Sequence, residues 1–255
     1  MKLLLCSDLH AEPEKIRGII AAAINNSVDL VCCAGDLIDF TSTKIGPECN
    51  YMRAMIRDEH TGLDWAVCSG NHDYFLGEET PTTQISPAWL SGVGTIQDGQ
   101  TQRYARNGQE IVVSTIPWPL NDSHEWQTHT RNIIKAGQHQ SEQTGASWII
   151  LIHEPPSGER IGAGYQNWRA ELTTEILQTA NPDFLLCGHI HHAPLGWAPS
   201  TSAVGLPGYV DGDWIQQIGD CVCFNGGQSD RRAEPWYIIL ELGSGGGWKA
   251  DHSHL

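Results

Sequence analysis

Five apolar runs in this chain each end in residues of metal-binding type: Ser7-Asp8-Leu9-His10, Gly35-Asp36-Leu37-Ile38-Asp39, Gly70-Asn71-His72-Asp73, His153-Glu154 and Gly188-His189-Ile190-His191. Short apolar runs bounded by turn residues read as buried strands. A fold that accommodates all five must deliver oxygen and nitrogen donors from separate strand ends to one pocket. α/β sheets do this, because ligands gather beyond the carboxyl ends of their strands.

The rest of the chain fits that requirement. Residues 2–6, 29–34, 65–69, 111–116, 147–152 and 184–187 are predicted as strands, and residues 11–26, 47–59, 129–143 and 170–180 as helices. Ile16, Ile19, Ile20, Ala23 and Ile24 fall at helical spacing and give the first helix one apolar face. Residues 214–218, 221–224 and 236–242 alternate and are predicted as antiparallel strands. Residues 75–108, rich in Gly, Thr, Gln and Pro, carry no clear pattern. Residues 193–213 show no element of their own and are the best lid candidate. Strands interleaved with helices and followed by hairpins imply an α/β fold, either a mixed sheet or two packed sheets with helices outside. A single domain over residues 1–242 is expected, followed by a weakly ordered tail over residues 243–255.

Charge narrows the partners. With 15 Lys plus Arg against 30 Asp plus Glu, the net charge is −15. Such a surface repels polyphosphate backbones and argues against nonspecific nucleic-acid binding, while small anionic substrates remain compatible with it. No apolar segment approaches the roughly 20 residues needed to span a bilayer, and the opening run is too short for a secretory signal. A cytoplasmic protein without membrane association is expected; oligomeric state is left open. The eight cysteines lack C-x-x-C spacing, and Cys6, Cys32, Cys33, Cys68 and Cys187 sit inside apolar runs. They read as small buried hydrophobes in a reducing compartment.

The donors themselves indicate the chemistry. Asp8 and His10 are separated by the period of an extended chain, as are His189 and His191. Gly35 and Gly70 allow tight turns and close backbone approach just before Asp36 and Asn71. Mixed imidazole and carboxylate donors suit zinc, iron or manganese better than calcium or magnesium. Two divalent ions carry four positive charges; Asp8 and Asp36 supply two negative ones and a shared hydroxide a third. Roughly one positive charge remains to attract a phosphate, and the ions lower the pKa of bound water toward neutrality.

In their order, D-x-H, G-D-x-x-D, G-N-H-D, a lone His and G-H-x-H, these blocks resemble the signature of the calcineurin-like metallophosphoesterase family. They run from residue 8 to residue 191, about three quarters of the chain. The resemblance implies a four-layer αββα sandwich, two mixed sheets flanked by helices. It implies two transition-metal ions (Mn, Fe or Zn), the first held by Asp8, His10, Asp36 and His191. Asp36 would bridge to the second, held also by Asn71, His153 and His189. His72 matches the family's histidine that contacts substrate phosphate and assists the leaving group. Asp39 and Asp73 remain alternatives for orienting His72, or either simply caps a turn.

The expected function is hydrolysis of a small phosphate ester, a diester in preference, by a hydroxide bridging the two ions. A phosphomonoesterase or nucleotide pyrophosphatase is the alternative, and a non-catalytic metal-binding scaffold ranks below both. The preference for diesters follows from the scarcity of arginines near the motifs, Arg160 and Arg169 being the candidates. Glu154 reads either as an outer residue tuning the metal or as a solvated loop residue. His192 fits a structural or substrate-rim role better than ligation. Asn225-Gly226-Gly227 reads as a turn closing the second sheet. Trp118, Trp126, Trp168, Trp197 and Trp214 follow strands and either wall the site for a leaving group or pack loops together.

Overall fold

In the first strand, Lys2–Cys6 (β1), Leu3 and Leu5 belong to one buried apolar cluster and Leu4 and Cys6 to another. That division follows from the two-residue period of a strand, and it explains an unbroken apolar run: both faces are covered. A computed structural model of the chain describes residues 1–39, 45–74, 85–119, 123–157, 161, 166–191, 201–204, 215–228, 235–243 and 246–254.

Chain order after β1 is α1 (Pro13–Asn25), β2 (Leu30–Ala34), α2 (Ile45–Ile56), β3 (Asp64–Cys68), β4 (Thr101–Arg106), β5 (Gln109–Ile116), α3 (His124–Thr144) and β6 (Ser147–Ile152). It continues with α4 (Trp168–Ala180), β7 (Phe184–Cys187), β8 (Thr201–Val204), β9 (Ile215–Ile218), β10 (Cys221–Asn225), β11 (Trp236–Leu242) and β12 (Trp248–His254). Two six-stranded sheets form, ordered β3-β2-β1-β11-β12-β8 and β4-β5-β6-β7-β10-β9. Leu3, Leu5 and Cys32 of the first sheet meet Val113, Ile149 and Leu151 of the second in a core between the sheets. Ile16, Ile19 and Met52 pack on the outer face of the first sheet. Trp126, Ile133, Ile176 and Leu177 pack on the outer face of the second. The result is the expected four-layer αββα arrangement.

Strands β1, β2 and β3 are mutually parallel, as are β5, β6 and β7. The five strands whose ends carry the donor-bearing stretches therefore deliver them by their carboxyl ends. All eight cysteines are buried and free, and Cys221 and Cys223 share one face with their sulfurs 3.9 Å apart.

Several expectations need correction. Helix α1 starts at Pro13, not at residue 11, because His10 and Ala11 hold left-handed backbone (φ 47° and 55°) that no α-helix accepts. Ile24 is exposed rather than on the apolar face. Helix α3 starts earlier than expected, where Ser123 accepts the Trp126 N–H and caps it. The three late strands do not form one antiparallel set. β9 and β10 make a hairpin, but β10 lies parallel to β7, and β11 crosses to the other sheet to pair antiparallel with β1. The segment expected as a weakly ordered tail supplies β12, which pairs with β11 over seven registered positions, Trp236↔His254 to Leu242↔Trp248. The segment expected to lack structure contains β8, paired with β12; the rest of residues 193–213 lies outside the described residues, as do Arg160, His192, Trp197 and Trp214. No helix among the described residues is long and apolar enough to cross a membrane.

Candidate metal centre

The site is assembled by hydrogen bonds between strand-end loops. Asp8 N–H donates to Gly35 O (3.1 Å), His10 N–H to Asp36 O (2.9 Å) and Ala11 N–H to Leu37 O (2.7 Å). These bonds require left-handed backbone at Asp8, His10 and Asp36 (φ 56°, 47° and 53°); His189 shares that conformation at φ 66°. Four non-glycine residues in a sparsely populated region, all donors to one pocket, mark strain retained for placement. Between the second and third loops the backbones nearly touch. A Cβ on Gly70 would lie 2.2 Å from Asp36 Oδ1, and one on Gly35, at φ +83°, would lie 2.6 Å from Gly70 N.

Asp73 fastens the same two loops. Its buried carboxylate accepts N–H groups from Asp36 (2.9 Å), Leu37 (2.9 Å), Ile38 (3.2 Å) and Gly70 (2.8 Å). Burial and the adjacent Asp36 carboxylate push its pKa up to about 8, opposed by the N–H groups of Gly70 and Ile38. Of the two alternatives left open by the sequence, Asp73 braces the turn and Asp39 meets His72: His72 Nδ1 lies 3.2 Å from Asp39 Oδ1. The His72 backbone N–H donates to Asp36 Oδ1 at 2.7 Å.

All seven ligand candidates come together. Asp8, His10 and His191 form one group whose donor atoms lie within 4.8 Å of one another, and Asp36, His153 and His189 form another. Asn71 joins the second, its Oδ1 3.1 Å from His153 Nε2. His10 also falls within a group with Asp39 and His72, its ring edge-on to the His72 ring at 4.6 Å. Asp8 accepts from the His189 backbone N–H (3.2 Å) and lies 3.0 Å from His191 Nε2. Burial alone would raise the pKa of Asp8, but its hydrogen bond with His191 and the nearby imidazoles hold it well below the usual carboxylate range.

The His153 ring tests whether cations fit. Its Nδ1 lies 2.6 Å from Ala34 O, an acceptor, so Nδ1 carries a proton there. Its Nε2 then faces Asn71 Oδ1 at 3.1 Å and Asp36 Oδ2 at 3.2 Å. Three acceptors converging without a donor repel one another unless a proton or a metal ion lies among them. Burial would lower the His153 pKa, but the Asp36 carboxylate outweighs it and pushes the pKa up to about 10. For His189, burial and the charge on His153 bring it down to about 4, and burial also lowers His10. His10 and His189 are thus neutral and His153 carries a proton that a bound cation would displace; imidazoles beside carboxylates form a donor set suited to first-row transition metals.

Other residues around the pocket were less legible. Glu154 is buried, not solvated: its Oε1 accepts from Asn167 Nδ2 at 3.1 Å. Burial raises its pKa, and the Asn167 hydrogen bond partly opposes that. Trp118 packs against the ligand candidates, its ring centroid 5.4 Å from His153 and 5.3 Å from His189. Trp126 is buried under the loop that carries Trp118, donating its indole N–H to Pro117 O. Arg169 lies over Trp118 and Trp168, 4.9 and 4.5 Å from their centroids. Asn225, at the end of β10 rather than in a closing turn, donates to Ile161 O and Ile190 O and so braces the loop bearing His189 and His191.

Comparison with known proteins agrees with this architecture. A family model described as calcineurin-like phosphoesterase matches residues 1–193. An uncharacterised metallophosphoesterase of Bacillus subtilis, YhaO, is 23% identical over 207 residues, 80% of this chain and 47% of that protein. The chain thus spans about half the length of that relative. Among solved structures, TT1561 of Thermus thermophilus is similar with a TM-score of 0.59 and 12% identity, covering 92% of each chain. A dimetal phosphatase from Danio rerio is similar with a TM-score of 0.59 and 11% identity, covering 96% of this chain and 93% of its own. At these identities the structural likeness is one of fold.

Proposed function

The chain belongs to the calcineurin-like phosphoesterase family, and from that premise we propose that it is a dinuclear metal-dependent hydrolase of small phosphate esters. The observation that carries the reading is the pair of adjacent donor groups, Asp8, His10 and His191 beside Asp36, His153 and His189. The first group would hold one ion; the second, with Asn71, would hold the other, and Asp36 would be shared between them. When bound, manganese, iron or zinc ions would supply phosphate binding and a lowered water pKa, the source of a shared attacking hydroxide.

The protein's own part is placement. Ala34 O fixes the His153 tautomer so that Nε2 faces the pocket. Asp73 and the loop-to-loop backbone bonds hold Asp36 beside His153 and His189. His72 is oriented by Asp39, whose Oδ1 lies 3.2 Å from its Nδ1, and is the candidate to contact the phosphate and stabilise the leaving oxygen. Trp118 packs an apolar ring against His153 and His189.

Diesters are favoured over monoesters. A terminal phosphate dianion is best met by a free guanidinium fork, whereas Arg169, the candidate among the described residues, is stacked on two indoles with its Nε–H given to Pro119 O. The test is chelation followed by reconstitution with manganese, zinc or iron. A panel of mono- and diester substrates, cyclic nucleotides and nucleotide pyrophosphates follows. Metal-dependent turnover with diesters preferred is expected. Turnover that survives chelation defeats the mechanism, and preference for monoesters or pyrophosphates replaces the substrate assignment.

A further inference from the structure

Glu154 carries a buried carboxylate oxygen that the described residues leave unsatisfied. The residue is 1% exposed, and while Oε1 accepts from Asn167, Oε2 has no hydrogen-bond partner among the described residues. An unsatisfied buried carboxylate oxygen is destabilising, so a fold that retains one has a partner for it in another state. Oε2 lies 3.7 Å from Nε2 of His189, facing that nitrogen but too far for a hydrogen bond without a small shift.

We propose that Glu154 is a positioning residue for His189: its carboxylate takes the Nε2–H of that ring, so that His189 offers Nδ1 to the second ion. The inference rests on the two-ion reading above and deepens it. A histidine that gives one nitrogen to a metal donates the other N–H to a carboxylate or carbonyl, which sets the tautomer and strengthens the ligand. His153 already shows this pattern with Ala34 O; His189 has Glu154 in the equivalent place. The ring also packs against His153 at 5.0 Å and Trp118 at 5.3 Å between centroids, contacts that limit its rotation.

Asn167 completes the arrangement. Its Oδ1 accepts from the N–H groups of Arg169 (2.7 Å) and Ala170 (2.9 Å), capping α4, while its Nδ2 holds Glu154 Oε1. A rigid helix end thus fixes the carboxylate, and the carboxylate faces the ring. Thr173 Oγ1 adds a second tie from the same helix to the Glu154 carbonyl at 3.3 Å.

The test uses the full chain and titrates zinc alone by calorimetry. Wild type is expected to take two ions. Glu154→Gln should keep the affinity of the first and weaken the second by about 10–100-fold. Asn167→Ser preserves a helix cap but removes the amide that holds Glu154, and should weaken the second ion in the same direction by less. It decides the matter if Glu154→Gln does not fold. In the zinc-loaded protein with labelled histidine, nitrogen NMR should show His189 protonated on Nε2 and bound through Nδ1. Unchanged zinc affinities in the variants, or His189 bound through Nε2, overturns the inference. Wild type that takes two ions with this signature but cleaves no phosphate ester defeats the proposed function and leaves the role of Glu154 standing.

Discussion

Asp73 Oδ2 accepts the backbone N–H of Asp36 at 2.9 Å, so a residue at the end of the third strand fixes a ligand candidate at the end of the second. The same carboxylate takes N–H groups from Leu37, Ile38 and Gly70. It acts as a mould for the Asp36 turn, whose left-handed backbone would otherwise relax.

Asp73→Asn is the sharpest probe of that role. An amide keeps one acceptor oxygen but turns an NH2 toward backbone donors, leaving buried N–H groups unsatisfied. The expected cost is about 2–4 kcal/mol. In a domain of this size that is a fall of roughly 5–15 °C in melting temperature, accompanied by weaker metal uptake. Thermal unfolding of the metal-free protein measures the first part and metal content after dialysis the second; an unchanged melting temperature would remove Asp73 from this role.

Gly70→Ala should separate site geometry from overall fold. The added Cβ would meet Asp36 Oδ1 at 2.2 Å, so the carboxylate must move. Strand β3 ends two residues earlier, and its pairing with β2 does not involve Gly70. The expected outcome is a folded protein, by circular dichroism, that has lost affinity for at least one ion. Full metal content by elemental analysis would contradict the close approach.

His72→Ala should leave both ions in place and slow ester cleavage by about 10²–10⁴-fold, the range of a lost acid–base or charge-stabilising group. Asp39→Asn should slow it less, because the ring stays but loses the carboxylate 3.2 Å from Nδ1. Metal analysis alongside kcat checks both. If His72→Ala loses an ion, His72 is a ligand, a reading its proximity to His10 keeps open to test.

The strands and most of the donors were legible because they obey local rules. Apolar runs buried on both faces announce β1, β2, β6 and β7, and the polar residue after each run falls at a carboxyl end. Long-range or polar structure was not legible. β4 reads Thr-Gln-Arg-Tyr-Ala-Arg and β12 Trp-Lys-Ala-Asp-His-Ser-His, with no apolar run to mark them. The crossing of β11 to pair with β1 spans more than 230 residues and leaves no local trace. Within the site, Asp39 and Asp73 have the same chemistry, and sequence proximity points the wrong way: Asp73 is the neighbour of His72 in the chain, Asp39 lies 33 residues from it. Only the fold shows that Asp73 faces backbone N–H groups and Asp39 faces the ring. Glu154 likewise looks like a loop residue until the closure of α4 over it buries it.

Asp98 gives a prediction in pH. It lies outside both donor groups, accepting from the Ser69 N–H at 3.0 Å and the Ser86 hydroxyl at 2.6 Å. Burial of its carboxyl pushes the pKa up from 3.8 to about 6, with the serine hydrogen bonds opposing the rise. The folded protein therefore binds this proton more tightly than the unfolded chain does. Its contribution to stability is fully present below pH 4 and is lost as pH rises to about 6. The span corresponds to at most on the order of 3 kcal/mol. Asp98→Asn keeps both contacts, since its oxygen can accept from Ser69 and its amide can donate to the Ser86 hydroxyl, and it removes the titration. Wild type minus variant stability, from urea unfolding of the metal-free proteins, should fall as pH rises from about 4 to 6 and stay level above that. A difference that is constant across the series would mean that Asp98 titrates alike in the folded and unfolded chain, and that the burial of its carboxyl has no energetic consequence.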